Sequence, residues 1–164
     1  FLHAATQRVA LQGRMQHVNR HVYAFGTDLT DLSNAFRLSD TDAMLTRAGT
    51  LIDDFAGGTR LATSLRTLRR LHARQLVGRR TVVLLVTDGL DTDEPAALVE
   101  ELQWLKRHVR RLLWLNPMLR FDGYEPTAQG AAVLHAYADA MLAVHNVSRL
   151  QDLATALAQL AKQP

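Results

Sequence analysis

Apolar positions along this chain follow two rhythms, one typical of buried strands and the other of amphipathic helices. The strand rhythm is clearest in the run Thr81–Val86, where five apolar residues follow one another. An unbroken apolar run of this length, bounded by turn residues, predicts a strand that is buried on both faces. Similar patterns predict further strands at 21–26, within 28–36, at 112–115 and at 141–145.

Between the predicted strands, apolar residues recur every three or four positions, which is the period of an amphipathic helix. Leu61, Leu65 and Leu68 share one face of the strongest helix, which continues through Leu76 and ends at Gly78. The same period and the helix-capping signals predict helices at 1–12, at 40–52 with Asp40 as N-cap, from Pro95 to His108, at 127–138, and after Ser148, which forms a capping box with Gln151.

Strands that alternate with helices in this way predict an α/β fold, a doubly wound and mostly parallel sheet with helices on both faces. The 164 residues suffice for one domain, so we expect a single domain over residues 1–164. Right-handed crossovers place the carboxyl ends of the parallel strands at one edge of the sheet, where such folds bind ligands. Asp88 follows a predicted strand at this edge, and Thr59 precedes a helix that begins there.

Composition narrows the class of protein. Hydrophobic residues make up 48% of the chain and charged residues 21%, which is typical of a globular domain. Cysteine is absent, which excludes disulfides and thiolate metal sites and favours a cytoplasmic location. No apolar stretch reaches the roughly 18 residues of a membrane span, and no signal peptide is recognisable.

The basic residues are almost all arginines, and they form two clusters, at 66–80 and at 106–111. Such clusters can bind nucleic acid. Here they are interpreted as the solvated faces of helices, because no aromatic residues for base stacking are interleaved with them. The net charge of only +3 agrees with this interpretation. An Arg-rich nucleic-acid-binding domain stays an alternative.

The carboxylate of Asp88, followed by Gly89, is a candidate ligand for a metal or a phosphate. The alternative is that Asp88 only caps the next turn, and the local sequence leaves both interpretations open. Together with the Thr59 hydroxyl, this carboxylate suits Mg²⁺, which prefers oxygen ligands, although two ligands alone would hold the ion poorly. Asp91 and Asp93 could add to the site, but we interpret them as negative charges at the amino end of the next helix.

An enzymatic function is not favoured. An Asp at a strand end also begins Mg²⁺-dependent phosphatases, so a phosphoryl-transfer enzyme that uses Asp88 is the second alternative. Such enzymes need another Asp two residues further on, and Leu90 stands there. The chain has neither a phosphate-binding loop with the G-x-x-x-x-G-K-[ST] pattern nor a nucleophile elbow.

Five short segments, in their order and spacing, resemble the CoxE-like von Willebrand factor A (VWA) domain proteins over essentially the whole chain. The Trp-Leu-Asn-Pro segment is the most telling of them. The segments are Gly57-Gly58-Thr59, Thr87-Asp88-Gly89, Trp114-Leu115-Asn116-Pro117, Gly123-Tyr124-Glu125-Pro126 and His145-Asn146. Domains of this kind carry a metal-ion-dependent adhesion site, with an Asp-x-Ser-x-Ser loop after the first strand, a Thr in a second loop and an Asp in a third. The resemblance makes Thr59 the threonine ligand and Asp88 the third-loop aspartate, which usually acts through water.

The resemblance implies an adhesion or scaffold role rather than catalysis. Similar proteins act beside MoxR-type AAA+ ATPases and are implicated in the maturation of metalloenzymes such as carbon monoxide dehydrogenase. An acidic side chain of the protein partner would complete the Mg²⁺ shell above Thr59 and Asp88. The resemblance also identifies a departure, because Phe1 already falls in the helix that should follow the Asp-x-Ser-x-Ser loop.

Residues 31–35 only partly match that loop, and we interpret them as a turn next to a strand. We therefore expect an N-terminally truncated domain that lacks the first central strand and this loop. Its sheet should have an unfilled place, and its binding of Mg²⁺ should be weak.

Overall fold

The strands form two sheets in the computed structural model, which describes residues 19–52 and 58–144. One sheet is an antiparallel pair, β1 and β2, and the other is parallel with the order β3-β4-β5. The strands are β1 Tyr23–Phe25, β2 Leu29–Asp31, β3 Val82–Val86, β4 Arg111–Asn116 and β5 Ala140–Ala143. The parallel sheet with its crossover helices confirms the predicted mixed α/β, Rossmann-like class.

Helices connect the strands of the parallel sheet and precede it. They are α1 Thr41–Gly49, α2 Leu61–Leu71, α3 Ala73–Leu76, α4 Pro95–His108 and α5 Gln129–Tyr137, with short 3-10 turns at Ala35–Arg37 and Pro117–Arg120. Asp40 caps α1 as predicted, since its carboxylate accepts a 2.7 Å hydrogen bond from the amide of Ala43. None of the helices in these two ranges is long and apolar enough to cross a membrane.

The main core lies on one face of the parallel sheet. Trp114 and Leu112 of the central strand β4 are buried there against α2, α4 and α5, while Leu113 and Leu115 are buried on the opposite face. Burial on both faces explains why β4 is an almost continuous apolar run rather than an alternating one. This packing holds β3 and β4 in register, so that Val86 lies beside Leu115 and both strands end at the same edge.

The predicted helix through Leu76 is interrupted. Helix α2 ends at Leu71, and His72 adopts φ −123° before the short helix α3 begins. The short strand predicted within 28–36 is confirmed as β2, and it ends where the carboxylate of Asp31 accepts a hydrogen bond from the amide of Ser33 at 2.7 Å and turns the chain. This contact confirms that residues 31–35 form a turn next to a strand.

Several predicted features lie outside the described residues. They are the helix at 1–12, the residue Gly57, the pair His145-Asn146 and the last helix with its capping box at Ser148 and Gln151.

Candidate functional site

The two sheets face each other across a cavity of about 380 Å³. Strand β1 contributes Tyr23 and Phe25 to its wall, and the end of β3 contributes Val86. Within the two described ranges, β1 pairs only with β2, and β3 pairs only with β4. The cavity therefore lies between facing strand edges. Thr59 and Asp88 both line it, so the structure brings the two predicted site residues together.

Asp88 lies two residues after the end of β3, in a half-buried position. Its Oδ1 atom accepts a hydrogen bond from the amide of Leu90 at 3.0 Å, which forms a tight turn. Its Oδ2 atom has no hydrogen-bond partner in the described part of the chain. Asp88 therefore does cap the turn, as one of the two interpretations predicted, and its Oδ2 atom stays a candidate ligand.

Thr59 lies just before α2, between Gly58 with φ +81° and Arg60. Its carbonyl oxygen accepts two hydrogen bonds from Thr92, one from the amide at 2.9 Å and one from the hydroxyl at 2.8 Å. The amide of Arg60 donates to the carbonyl of Gly26, directly after β1, at 2.8 Å. The Thr59 segment is thus hydrogen-bonded to the end of β1 on one side and to the loop of Thr92 on the other. No described residue makes a hydrogen bond with the Thr59 hydroxyl.

Asp91 and Asp93, interpreted from the sequence as negative charges at the amino end of the next helix, direct their hydrogen bonds to the helix that precedes them. Helix α4 begins after Glu94 without a side-chain cap and has no acidic residue in its first turn. Instead, Asp91 Oδ1 accepts from the amide of Leu61 at 3.0 Å, and Asp93 Oδ2 accepts from the amide of Thr63 at 2.7 Å. Both carboxylates therefore cap the earlier helix α2, whose amides are unsatisfied at that end.

The carboxylate of Asp93 is further fixed by Arg60, whose Nε lies 3.3 Å from Oδ1, and by the hydroxyl of Thr63 at 3.1 Å. Burial acts to raise the pKa of Asp93, but the hydrogen bonds from Thr63 and the charge of Arg60 outweigh burial and lower it. Asp93 is thus held in its charged form at the amino end of α2, where negative charge is favoured.

Two residues of the Trp-Leu-Asn-Pro segment stabilise the backbone around the site. Trp114 is fully buried, and its indole N–H donates to the carbonyl of Thr87, next to Asp88, at 2.9 Å. Asn116 is also fully buried, and its side-chain oxygen accepts from the amide of Met118 at 2.8 Å. Trp114 is therefore a packing residue of the core, and Asn116 is a cap of the following turn.

Sequence reasoning missed Tyr23 and Phe25 in the cavity wall and Thr92 as the partner of Thr59. The pKa of Tyr23 is raised, first by burial and then by the charge and hydrogen bond of Asp31. The signals for these residues are weak, because each depends on which distant segment comes to lie beside it. One signal in the sequence was usable. Arg60, at the N-cap of α2, has no side-chain acceptor for a helix amide, so this helix needs a cap from another segment.

The donor atoms of the site suit a hard cation. A threonine hydroxyl and a carboxylate oxygen, both without a hydrogen-bond partner among the described residues and both beside one cavity, are ligands that Mg²⁺ accepts. The described ranges contain no group of three or more His, Cys, Asp or Glu that could hold a metal. Thr59 and Asp88 are two candidate oxygen ligands beside one cavity.

Comparison with known proteins supports the class of fold that the parallel sheet and its edge site define. The family model of the VWA domain containing CoxE-like protein matches residues 4–150. The chain therefore belongs to the CoxE-like family of VWA domain proteins. A search of curated proteins finds no match.

Proposed function

We propose that this VWA-type module binds a protein partner through a divalent cation, Mg²⁺ by chemistry, held in part by Thr59 and Asp88. The observation that carries the proposal is that these two residues line one cavity at the carboxyl edge of β3, each with an oxygen that no described residue engages. An acidic side chain of the partner would supply a further oxygen ligand. When bound, the cation supplies positive charge that attracts this carboxylate.

The partner that we propose is a MoxR-type AAA+ ATPase, with a metalloenzyme as the client and the cytoplasm as the setting. Membership of the CoxE-like family supports this assignment. In this role the domain binds and releases proteins and is not itself an enzyme. The exposed side chain of Leu90, two positions after Asp88, occupies the place where a phosphatase needs its second Asp.

The cavity between β1 and β3 supports a further part of the proposal, which concerns the ligands that would complete the metal site. Its walls are strand edges to which no further strand pairs within residues 19–52 and 58–144, and another strand would satisfy their backbone groups. A strand in that position would end beside Thr59 and Asp88, where an Asp-x-Ser-x-Ser segment after it would add oxygen ligands. We therefore propose that the 164-residue chain is one part of the complete cation site.

Calorimetric titration with Mg²⁺ tests the proposal on two proteins, the chain itself and a version extended at its amino terminus by an apolar strand and an Asp-x-Ser-x-Ser segment. We expect very weak binding by the chain and clear binding by the extended form, which Asp88→Ala abolishes. Asp122→Ala, in an exposed loop, is the control and should bind like the parent. Tight binding by the unextended chain would contradict the proposal.

A pull-down with the full-length protein, with and without a chelator, tests the partner. Recovery of an AAA+ ATPase that the chelator abolishes and that Thr59→Ala weakens supports the assignment. Equal recovery in the presence of chelator contradicts the dependence on metal.

A further inference from the structure

The loop at 88–94, which we name the acidic loop, is fastened to the amino end of α2 by side chains on both segments. Thr92 binds the carbonyl of Thr59 twice, at 2.9 and 2.8 Å. One residue further on, the side chain of Asp93, only 10% exposed, binds the amide and hydroxyl of Thr63 and the guanidinium of Arg60. These contacts link residues about thirty positions apart in the sequence.

The acidic loop is also held from its other side, by α5. Gly89 has φ +85°, and a Cβ atom there would lie 2.7 Å from the Cβ of Ala131. A Cβ atom on Gly130 would lie 2.6 Å from the carbonyl oxygen of Gly89 and 3.0 Å from the Cβ of Asp91. The loop is therefore enclosed between the amino ends of α2 and α5 and has little room to move.

We propose that Thr92 and Asp93 are positioning residues, which fix the Thr59 segment against the acidic loop so that Thr59 and Asp88 present their oxygens as a pair. Neither residue needs to touch the cation. The inference rests on the proposed function for the pair, whereas the fastening itself is a property of the chain without metal. Helix α2 makes the arrangement necessary, because its own N-cap, Arg60, provides no side-chain cap.

The matched substitutions are Thr92→Val and Thr50→Val. Each removes a threonine hydroxyl that donates to a backbone carbonyl at 2.8 Å, the first to Thr59 and the second to Arg47 at the end of α1. The amide of Thr92 still binds Thr59 in the variant, so the fold should be retained. If only Thr92→Val changes metal binding at the site, the cause is the altered position of the Thr59 segment, since both variants lose an equivalent hydrogen bond.

The metal readout is NMR line broadening of the Thr59 and Asp88 amides during titration of the 164-residue chain with Mn²⁺, which suits weak sites. We expect Thr92→Val to lower the apparent Mn²⁺ affinity about tenfold, as loss of an outer support does in other metal sites. Broadening at Thr59 should weaken more than at Asp88. Thr50→Val should match the parent, and equal affinities in all three proteins would overturn the proposal.

The readout without metal is amide hydrogen exchange in Asp93→Asn. We expect the Thr63 amide to exchange about tenfold faster while amides in the middle of α4 keep their rates, because the lost contact is local. A uniform increase across the chain would overturn the positioning role. If neither the parent nor the extended form shows Mn²⁺ broadening, the proposed function fails, and the exchange pattern alone decides whether the acidic loop fixes the Thr59 segment.

Discussion

The indole of Trp114 donates its N–H to the carbonyl of Thr87, so a fully buried side chain of β4 fixes the residue that precedes Asp88. Replacing Trp114 by Phe leaves this carbonyl without its donor and opens a void in the core. We expect a loss of about 3 kcal/mol in the free energy of unfolding. Urea denaturation followed by far-UV circular dichroism measures it, since fluorescence would change with the substitution itself.

The control for this prediction is Trp104→Phe. Trp104 is only partly buried and lies at the edge of the core, under the guanidinium of Arg69. Its replacement should cost about 1 kcal/mol. Equal losses for the two variants would contradict a special role of the bond to Thr87.

Gly89 and Gly123 form a second matched pair. Both have positive φ, at +85° and +74°, but a Cβ atom would meet Ala131 at Gly89 and nothing within 4 Å at Gly123. We expect Gly123→Ala to cost about 1 kcal/mol from backbone strain alone. Gly89→Ala should cost about 3 kcal/mol, because steric overlap with α5 adds to that strain. Thermal or urea unfolding of both variants checks this difference, and similar losses would show that the contact relaxes without cost.

The carboxylate of Glu101 on α4 is 1% exposed and lies 3.1 Å from Arg66 and 3.3 Å from Arg69, both on α2. We expect the double variant Arg66→Ala/Arg69→Ala to lose about 3 kcal/mol, because it leaves a buried charge without a partner. Adding Glu101→Met should recover most of this loss, since a methionine of similar length needs no partner. Unfolding by urea measures all three proteins.

Arg70→Ala is the control for the ion-pair series. Arg70 is exposed on the same helix, and its removal should change the stability by less than about 0.5 kcal/mol. If Glu101→Met fails to rescue the double variant, the arginines contribute chiefly by packing and not by compensating the charge.

The lowered pKa of Asp93 makes stability dependent on pH. The unfolded carboxyl titrates near the ordinary value of about 3.9, above the folded pKa, so the unfolded chain binds more protons in this range. The contribution of Asp93 is therefore fully present above pH of about 5 and is lost as the pH falls through the folded pKa. Denaturation midpoints measured between neutral pH and pH of about 3 should fall less steeply in Asp93→Asn than in the parent.

The acid-dependent loss should not vanish in that variant, because the pKa of Asp31 is lowered as well. Burial acts to raise it, but hydrogen bonds from Ser33 and the nearby His21 and His72 outweigh burial. Asp93→Asn/Asp31→Asn should therefore show the flattest pH dependence. A double variant as acid-sensitive as the parent would assign the loss of stability to other groups.

The sequence was sufficient for features that depend on local periodicity. The run at 82–86, the strand at 111–116 and helix α4 lie within about a residue of their predicted bounds, because each is a strong apolar pattern with clear end signals. The break at His72 was not predictable from periodicity, since Leu76 continues the apolar spacing across it.

The site was predictable only in part. Thr59 and Asp88 were identified through the order of strands and helices and through resemblance, and they do line one cavity. The capping of α2 by Asp91 and Asp93 was not predicted, because a carboxylate can cap any helix end within reach and the sequence pointed only to the next helix. Side-chain contacts between residues about thirty positions apart produce no repeating pattern that a single sequence could reveal.

The facing edge of β3 has a consequence for the behaviour of this chain in solution. Val82–Val86 consists of five uncharged, apolar residues, and within the described ranges only β4 pairs with it. Edges of that kind, without lysine, proline or a bulge, favour pairing between molecules. We therefore expect the 164-residue chain to self-associate as its concentration rises, through a segment that a neighbouring strand would otherwise shield.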